Sequence, residues 1–451
     1  MARFSKENEL DMAKIREDIE ENTASLQEEY DELPYQIKNK LEWFSDQKIG
    51  IIFHWGLYSQ AGIVESWQLS KEDDWARKKG SWREDIQTLR KDYWELNQIF
   101  NPENFDPQDW AKKAKKAGFR YMIFTTKHHD GFNMYDTQYS DYKITAAESI
   151  FHKNKQADIL KSVIEAFHKV DIATGLYYSK ADWHSPNYWK PNQTPYGRYA
   201  SYDPYKDPET WKKFSQYVEN QLIELIKNYG PTDILWLDGG WVNTTHHEYL
   251  PMDTIVAKLR EIQPGLLVVD RAVGGKYENY ITPERKVPEV PPKKAWESNI
   301  PLAKNWGYVP HDEYKSFEEI LNSVIQVVSL GGNIILGVGP KPDGTLPKEA
   351  QTIMQKLGNW LQIYGEGIYE TRPYQELTKK GWFFTRKKNT VYAFHKNEGT
   401  KISLDLTDFP TKIKKAVDME TKEELLVEQQ RVYVDQQSEF VGIQLQLEEK
   451  V

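Results

Sequence analysis

The chain has 451 residues, 39% of them hydrophobic, enough for a full-sized core and, at this length, for one large domain and a smaller one. A formal net charge of −9 leaves no basic field to attract phosphate, so a nucleic-acid partner is not expected. Cysteine is absent, which removes disulfides and thiolate metal sites.

Residues 1–33, beginning MARFSKENELDMAKIREDIEENTASLQEEY, read as a charged helical lead-in without an apolar leader, and no later run nears the roughly 18 apolar residues of a membrane span. A soluble cytoplasmic protein without a membrane partner is expected for the chain as it stands. From there strand-like and helix-like segments alternate. Strands are predicted at 49–55, 120–126, 173–179, 233–238, 266–271, 295–297 and 333–337, each short, apolar and followed by polar or glycine-rich residues. Helices are predicted at 106–118, which opens Asp-Pro and closes at Gly, then at 209–229, 252–262 and 317–329. In 209–229, Trp211, Phe214, Val218, Leu222, Leu225 and Tyr229 recur every three or four residues and line one face. Residues 67–94 are a long insertion rich in Trp, Lys, Glu and Asp, suited to capping a cleft or meeting a second subunit. Repeated β-then-α units with polar residues after many different strands argue for an α/β fold, a (β/α)8-type barrel over 34–367. Only seven strands are visible, so closure is an inference. From 368 to 451 the pattern changes to short alternating runs such as Trp382-Phe383-Phe384-Thr385, which predicts a C-terminal antiparallel β-sandwich.

The strand ends carry the chemistry. They read Phe53-His54-Trp55-Gly56, His128-His129-Asp130, Tyr177-Tyr178-Ser179, Trp236-Leu237-Asp238-Gly239-Gly240-Trp241, Asp270-Arg271 and Trp296-Glu297, and in a barrel they share one rim. The adjacent histidines fit solvated loop residues, a metal site or polar recognition; no His-x-x-x-His spacing or cysteine accompanies them to favour a metal. Carboxylates, imidazoles and rings together suit glycoside hydrolysis, in which one carboxylate attacks the sugar and another shuttles a proton. The high aromatic content, 13%, supplies rings able to stack on sugar faces. Asp238 ends a strand between two tryptophans and before two glycines, which fits a nucleophile approached closely by backbone and equally a turn aspartate.

Several motifs in order extend this reading: Gly50-Ile51-Ile52-Phe53-His54-Trp55-Gly56-Leu57-Tyr58-Ser59, Thr125-Thr126-Lys127-His128-His129-Asp130-Gly131-Phe132, Gly175-Leu176-Tyr177-Tyr178-Ser179, Trp236-Leu237-Asp238-Gly239, Trp306-Gly307-Tyr308, and Gly331-Gly332-Asn333 through Gly339-Pro340. Over about residues 43–369 the chain resembles the α-L-fucosidases of glycoside hydrolase family 29. The resemblance implies a retaining exo-enzyme that releases terminal α-L-fucose from oligosaccharides or glycosides through a covalent glycosyl-aspartate, with no cofactor and no metal. Asp238 then falls on the nucleophile. His54, His128, His129, Tyr177, Trp236 and Arg271 fall on positions that hold the sugar, and Trp306 on one that packs against its methyl group. Family members often show an adjacent Glu-Trp pair where this chain has Glu65-Ser66-Trp67, so Glu65 and Trp67 are its sugar-binding candidates. Ser298 stands where many carry cysteine.

For the acid/base residue, the resemblance offers Glu284, in Tyr280-Ile281-Thr282-Pro283-Glu284, and Glu297. Glu284 is preferred because a proline-punctuated loop can reach the leaving oxygen, whereas Glu297 ends a predicted buried strand. Alternatives are an α-L-galactosidase using the same site and a noncatalytic carbohydrate-binding protein. The expected assembly is a symmetric homo-oligomer.

Overall fold

Seven short strands form one parallel sheet: β1 (Ile49–Phe53), β2 (Tyr121–Lys127), β3 (Ala173–Ser179), β4 (Ile234–Asp238), β5 (Leu267–Asp270), β6 (Glu297–Pro301) and β7 (Asn333–Val338). The computed structural model describes residues 32–448 apart from 79, 272–274, 375, 377–378, 398–401, 410 and 435–439; nearly all of the lead-in expected over 1–33 lies outside the described residues. Every residue of these strands except Ala173 is buried, as a parallel sheet lined by side chains inside and helices outside requires.

The strand order β5-β4-β3-β2-β1-β7-β6 is that of a curled barrel wall. Residues 279–285 occupy the gap between β5 and β6. On one side Asn279 exchanges hydrogen bonds with Val268 at 2.8 Å through its backbone N–H and its side-chain oxygen. On the other, Ile281 and Glu284 bridge in parallel to Trp296 and Asn299. Pro283 has no N–H to donate, which keeps this eighth stave irregular. The expected (β/α)8-type barrel is present, and Glu284 rides on the stave that the sequence pattern did not reveal.

Most predicted strand ends lie within one or two residues of those observed, but β6 is a correction. The expected strand over 295–297 ended at Glu297; the observed one begins there, pairing Glu297 with Asn333. Its polar opening, Glu297-Ser298-Asn299, hides a fully buried strand, because the carboxylate has its own buried donors.

The N-terminal end of the barrel is stoppered by the helix Tyr35–Gln47. Its Phe44 ring lies 4.5 Å from Tyr280 and 5.7 Å from Tyr121, and its carbonyl accepts from Asn333 Nδ2 at 2.7 Å. Ile37, Leu41 and Phe44 continue the interior core of Ile52, Ile123, Tyr177, Trp236 and Ile335. Chemistry is therefore confined to the opposite rim.

The outer helices start as their sequences direct. Asp207 caps Pro208–Asn228 by accepting from Thr210 N–H, with proline in the first turn. Ser316 and Glu319 form a reciprocal capping box on Phe317–Ser329.

Beyond the helix Lys348–Tyr364 the chain forms two antiparallel sheets. The five-stranded one contains β8 (Arg372–Pro373), β9 (Trp382–Lys387), β10 (Thr390–Lys396), β12 (Ile413–Asp418) and β15 (Phe440–Leu447). The other contains β11 (Ile402–Asp405), β13 (Val427–Glu428) and β14 (Arg431–Val434). They share a core that includes Phe384, Ala393, Leu404, Val432 and Ile443, the expected C-terminal sandwich. Among the described residues no helix is long and apolar enough to cross a membrane.

Candidate active site

Trp236 and Asp238 are two residues apart on β4 and so point to the same side, into the barrel. Asp238 closes the strand with one carboxylate oxygen accepting from Tyr177 Oη at 2.5 Å. The other accepts from Gly239 N–H at 2.8 Å and from Arg271 Nη1 at 3.2 Å. Gly239 sits at φ +85°, which favours glycine at this turn. Burial pushes the Asp238 pKa up, but the Arg271 charge, the Tyr177 hydroxyl and the Gly239 N–H outweigh it, leaving the group below its ordinary value and ionised at neutral pH.

Three imidazoles surround it. His54, His128 and His129 are buried, and burial holds them neutral: His54 is pushed down to about 3, the other two well below the ordinary histidine range. Ser179 Oγ donates to the Ala181 carbonyl at 2.8 Å and lies 2.7 Å from His129 Nδ1. A hydroxyl has one proton, so His129 Nδ1–H must donate to Ser179, leaving Nε2 as a lone-pair acceptor 3.9 Å from Asp238. His128 Nδ1 pairs with Ser66 Oγ at 2.6 Å, and its ring lies parallel to Tyr177 at 5.8 Å.

Beneath the rim the Tyr177 ring stacks on Trp236 at 5.4 Å, and Arg271 lies 5.2 Å over the same indole. Arg271, expected to hold sugar, also joins the two candidate carboxylates: Nη1 reaches Asp238 and Nη2 donates to Glu284 Oε2. The other Glu284 oxygen accepts from Trp306 Nε1 at 3.3 Å. Glu284 thus turns into the cleft.

Glu297 does not come to the rim. Fully buried at the start of β6, it accepts from Tyr121 Oη at 2.7 Å and from Trp236 Nε1 at 3.2 Å. Burial raises its pKa to about 7 against the lowering effect of those two donors. It supports the floor of the site from inside the barrel.

The long insertion contributes to the wall. Trp67 stands edge-on to His129 at 4.9 Å and packs beside Trp183 and Trp241 at 5.8 and 5.6 Å. Glu65 reaches across to accept from Gly307 N–H at 2.7 Å, fixing the turn that presents Trp306; burial raises its pKa to about 7. Trp306 in turn faces His54 at 5.2 Å. Ser298 Oγ donates to the Lys286 carbonyl at 2.7 Å, tying β6 to the stave that carries Glu284. The orienting roles of Ser66 and Ser179 and the place of Arg285 beside Glu284 were not read from the sequence. The i, i+2 spacing of Tyr177 and Ser179 was the available signal for one of them.

His128, His129 and Asp238 bring one ligand atom each within 4.8 Å of one another, a group that could hold a divalent ion. The serine partners suit metal-bound imidazoles as well as sugar-binding ones. The Arg271 guanidinium does not, since it fixes a cation on the carboxylate such an ion would need.

A stoppered (β/α)8-type barrel whose open rim joins an ionised aspartate to a second carboxylate, among neutral imidazoles and indoles, has the equipment of a glycoside hydrolase. Residues 17–366 match the family model for alpha-L-fucosidase, and the chain belongs to that family. It is 28% identical over 400 residues to tissue alpha-L-fucosidase of Homo sapiens, covering 82% of this chain and 79% of the relative. With the alpha-L-fucosidase of Branchiostoma floridae it shares 26% identity over 376 residues, covering 78% of each. Its fold is similar to alpha-L-fucosidase isoenzyme 1 from Paenibacillus thiaminolyticus, with a TM-score of 0.76 at 26% identity over 92% of this chain and 100% of that one. The Thermotoga maritima alpha-fucosidase, in complex with a mechanism-based inhibitor, matches with a TM-score of 0.72 at 26% identity over 90% of this chain and 96% of that one.

Proposed function

We propose that the protein is a retaining exo-α-L-fucosidase in which Asp238 is the nucleophile and Glu284 the acid/base. The observation that carries the reading is the Arg271 bridge, which brings the two carboxylates to one cleft while keeping Asp238 ionised. In the first step an Asp238 oxygen forms a bond to the anomeric carbon as the glycosidic bond breaks, and Glu284 gives its proton to the departing oxygen. In the second, Glu284 takes a proton from water, whose oxygen displaces Asp238 from the same carbon. Retention asks for carboxyl groups about 5–5.5 Å apart, a separation compatible with two carboxylates held by one guanidinium.

Neutral His129 offers Nε2 to accept a sugar hydroxyl, and the Trp306 indole offers an apolar face for the C5 methyl of fucose. The Tyr177–Trp236 stack and the helix Tyr35–Gln47 close the barrel below, so a single terminal residue fits and the aglycone leaves toward solvent. The substrate class is a fucosylated oligosaccharide or glycoside. The test is hydrolysis of an aryl α-L-fucoside followed by NMR from the first turnovers. The α-anomer of fucose is expected first; initial release of the β-anomer, or no turnover, would contradict the proposal.

A further inference from the structure

Arg285 follows Glu284 directly and lies on its solvent side: its side chain is 36% exposed and that of Glu284 13%. Its backbone adopts φ +54°, a left-handed conformation uncommon for a residue with a Cβ and concentrated at functional sites. Nη1 is anchored to the Lys304 carbonyl at 2.8 Å, and the guanidinium lies 5.2 Å over the Trp306 ring. Its Nε is 3.5 Å from Glu284 Oε1, the oxygen that Trp306 also contacts. Among the described residues Glu284 is its one carboxylate partner. Nearby, at the end of β6, Lys315 Nζ is held by the Pro301 and Ala303 carbonyls at 2.7 and 3.0 Å, not by a carboxylate.

We propose that Arg285 selects the aglycone and favours one carrying a negative charge close to the scissile bond; the inference rests on Glu284 being the proton donor. A fucose bound against Asp238 and His129 directs its aglycone outward past Glu284, and so across Arg285. In the state that can donate a proton Glu284 is neutral. Arg271 still has Asp238, but Arg285 has then lost the one carboxylate within ion-pair distance of it among the described residues, with buried Glu65 acting on it only from farther off. A carboxylate or sulfate on the aglycone restores it at the moment the acid is poised, whereas a neutral sugar offers only hydroxyl acceptors.

The test uses two aryl α-L-fucosides matched in leaving-group acidity, one neutral and one bearing a ring carboxylate. The native enzyme is expected to favour the anionic substrate in kcat/KM by about three- to five-fold, the size of a partly exposed ion pair, with the ratio shrinking at high salt. In Arg285→Gln the ratio falls to about one, and Arg285→Lys retains part of it; if the glutamine variant fails to fold, the lysine variant carries the test. A native ratio near one, or a ratio that Arg285→Gln leaves in place, overturns the proposal. The leaving-group dependence of Glu284→Ala reports separately on the proton donor, so failure of one reading is told from failure of the other.

Discussion

Replacing Glu297 separates a carboxylate that holds the site together from one that moves protons. In Glu297→Ala both Tyr121 Oη and Trp236 Nε1 lose their acceptor inside the barrel. Each stranded buried donor costs about 1–3 kcal/mol, so the variant loses roughly 2–6 kcal/mol before any cavity is counted, a large fraction of a typical ~5–15 kcal/mol. Glu297→Gln keeps the shape and resembles the protonated acid. The folded pKa of Glu297 is raised to about 7 by burial, against about 4.3 in an unfolded chain. A raised pKa gives a contribution fully present below the unfolded value and lost as pH rises through the folded one. The native protein therefore loses stability between about pH 4.3 and 7 that Glu297→Gln does not, up to roughly 4 kcal/mol. Denaturant midpoints of both proteins at pH 5 and pH 8 check this, and the glutamine variant should gain on the native protein at pH 8. Turnover of good and poor leaving groups should fall by similar factors in the folded variants. A pH-independent stability difference, or a selective loss on poor leaving groups, would refute the reasoning and return Glu297 to the acid/base role.

Glu284→Ala should do the converse, slowing fucosyl linkages to sugar alcohols by at least about a hundred-fold while sparing activated aryl fucosides, as loss of a general acid does; equal losses on both would count against it. Tyr177→Phe removes one of the groups that lower the Asp238 pKa, so that pKa rises and the acid limb of kcat/KM moves to higher pH. A limb that stays in place would disconnect the hydroxyl from the nucleophile. EDTA should leave turnover intact, and a loss reversed by added zinc would assign His128, His129 and Asp238 to a metal.

Much of the barrel was legible because its buried parallel strands are built around short apolar runs such as Tyr121–Phe124: Tyr121–Lys127 and Ala173–Ser179 stand where the pattern put them, to within a residue. Apolar patterning failed where polar groups find partners inside. Glu297-Ser298-Asn299 opens a strand only because Tyr121 and Trp236 satisfy the carboxylate, and the stave around Pro283 pairs too irregularly to read as a strand. Strand ends pointed to much of the candidate site, since His54, His128, His129, Tyr177, Asp238 and Arg271 lie at or near the ends of β-strands, whereas Glu65, Trp67, Glu284 and Trp306 do not. They could not give the pairing. Arg271 meets both Asp238 and Glu284, and Ser66 meets His128 from just ahead of the insertion. Such contacts between distant segments leave no periodic trace.

The most direct test of the mechanism is the stereochemistry of azide products. In Asp238→Gly, azide can enter where the carboxylate stood and attack the face opposite the leaving group, giving β-L-fucosyl azide from an α-fucoside. In Glu284→Ala with an activated substrate, Asp238 still forms the glycosyl-enzyme, and azide then attacks from the other face to give the α-azide. Both variants are expected to be rescued by azide, with these opposite configurations determined by NMR. A β-azide from Glu284→Ala, or near-native turnover by folded Asp238→Gly without azide, would contradict the mechanism.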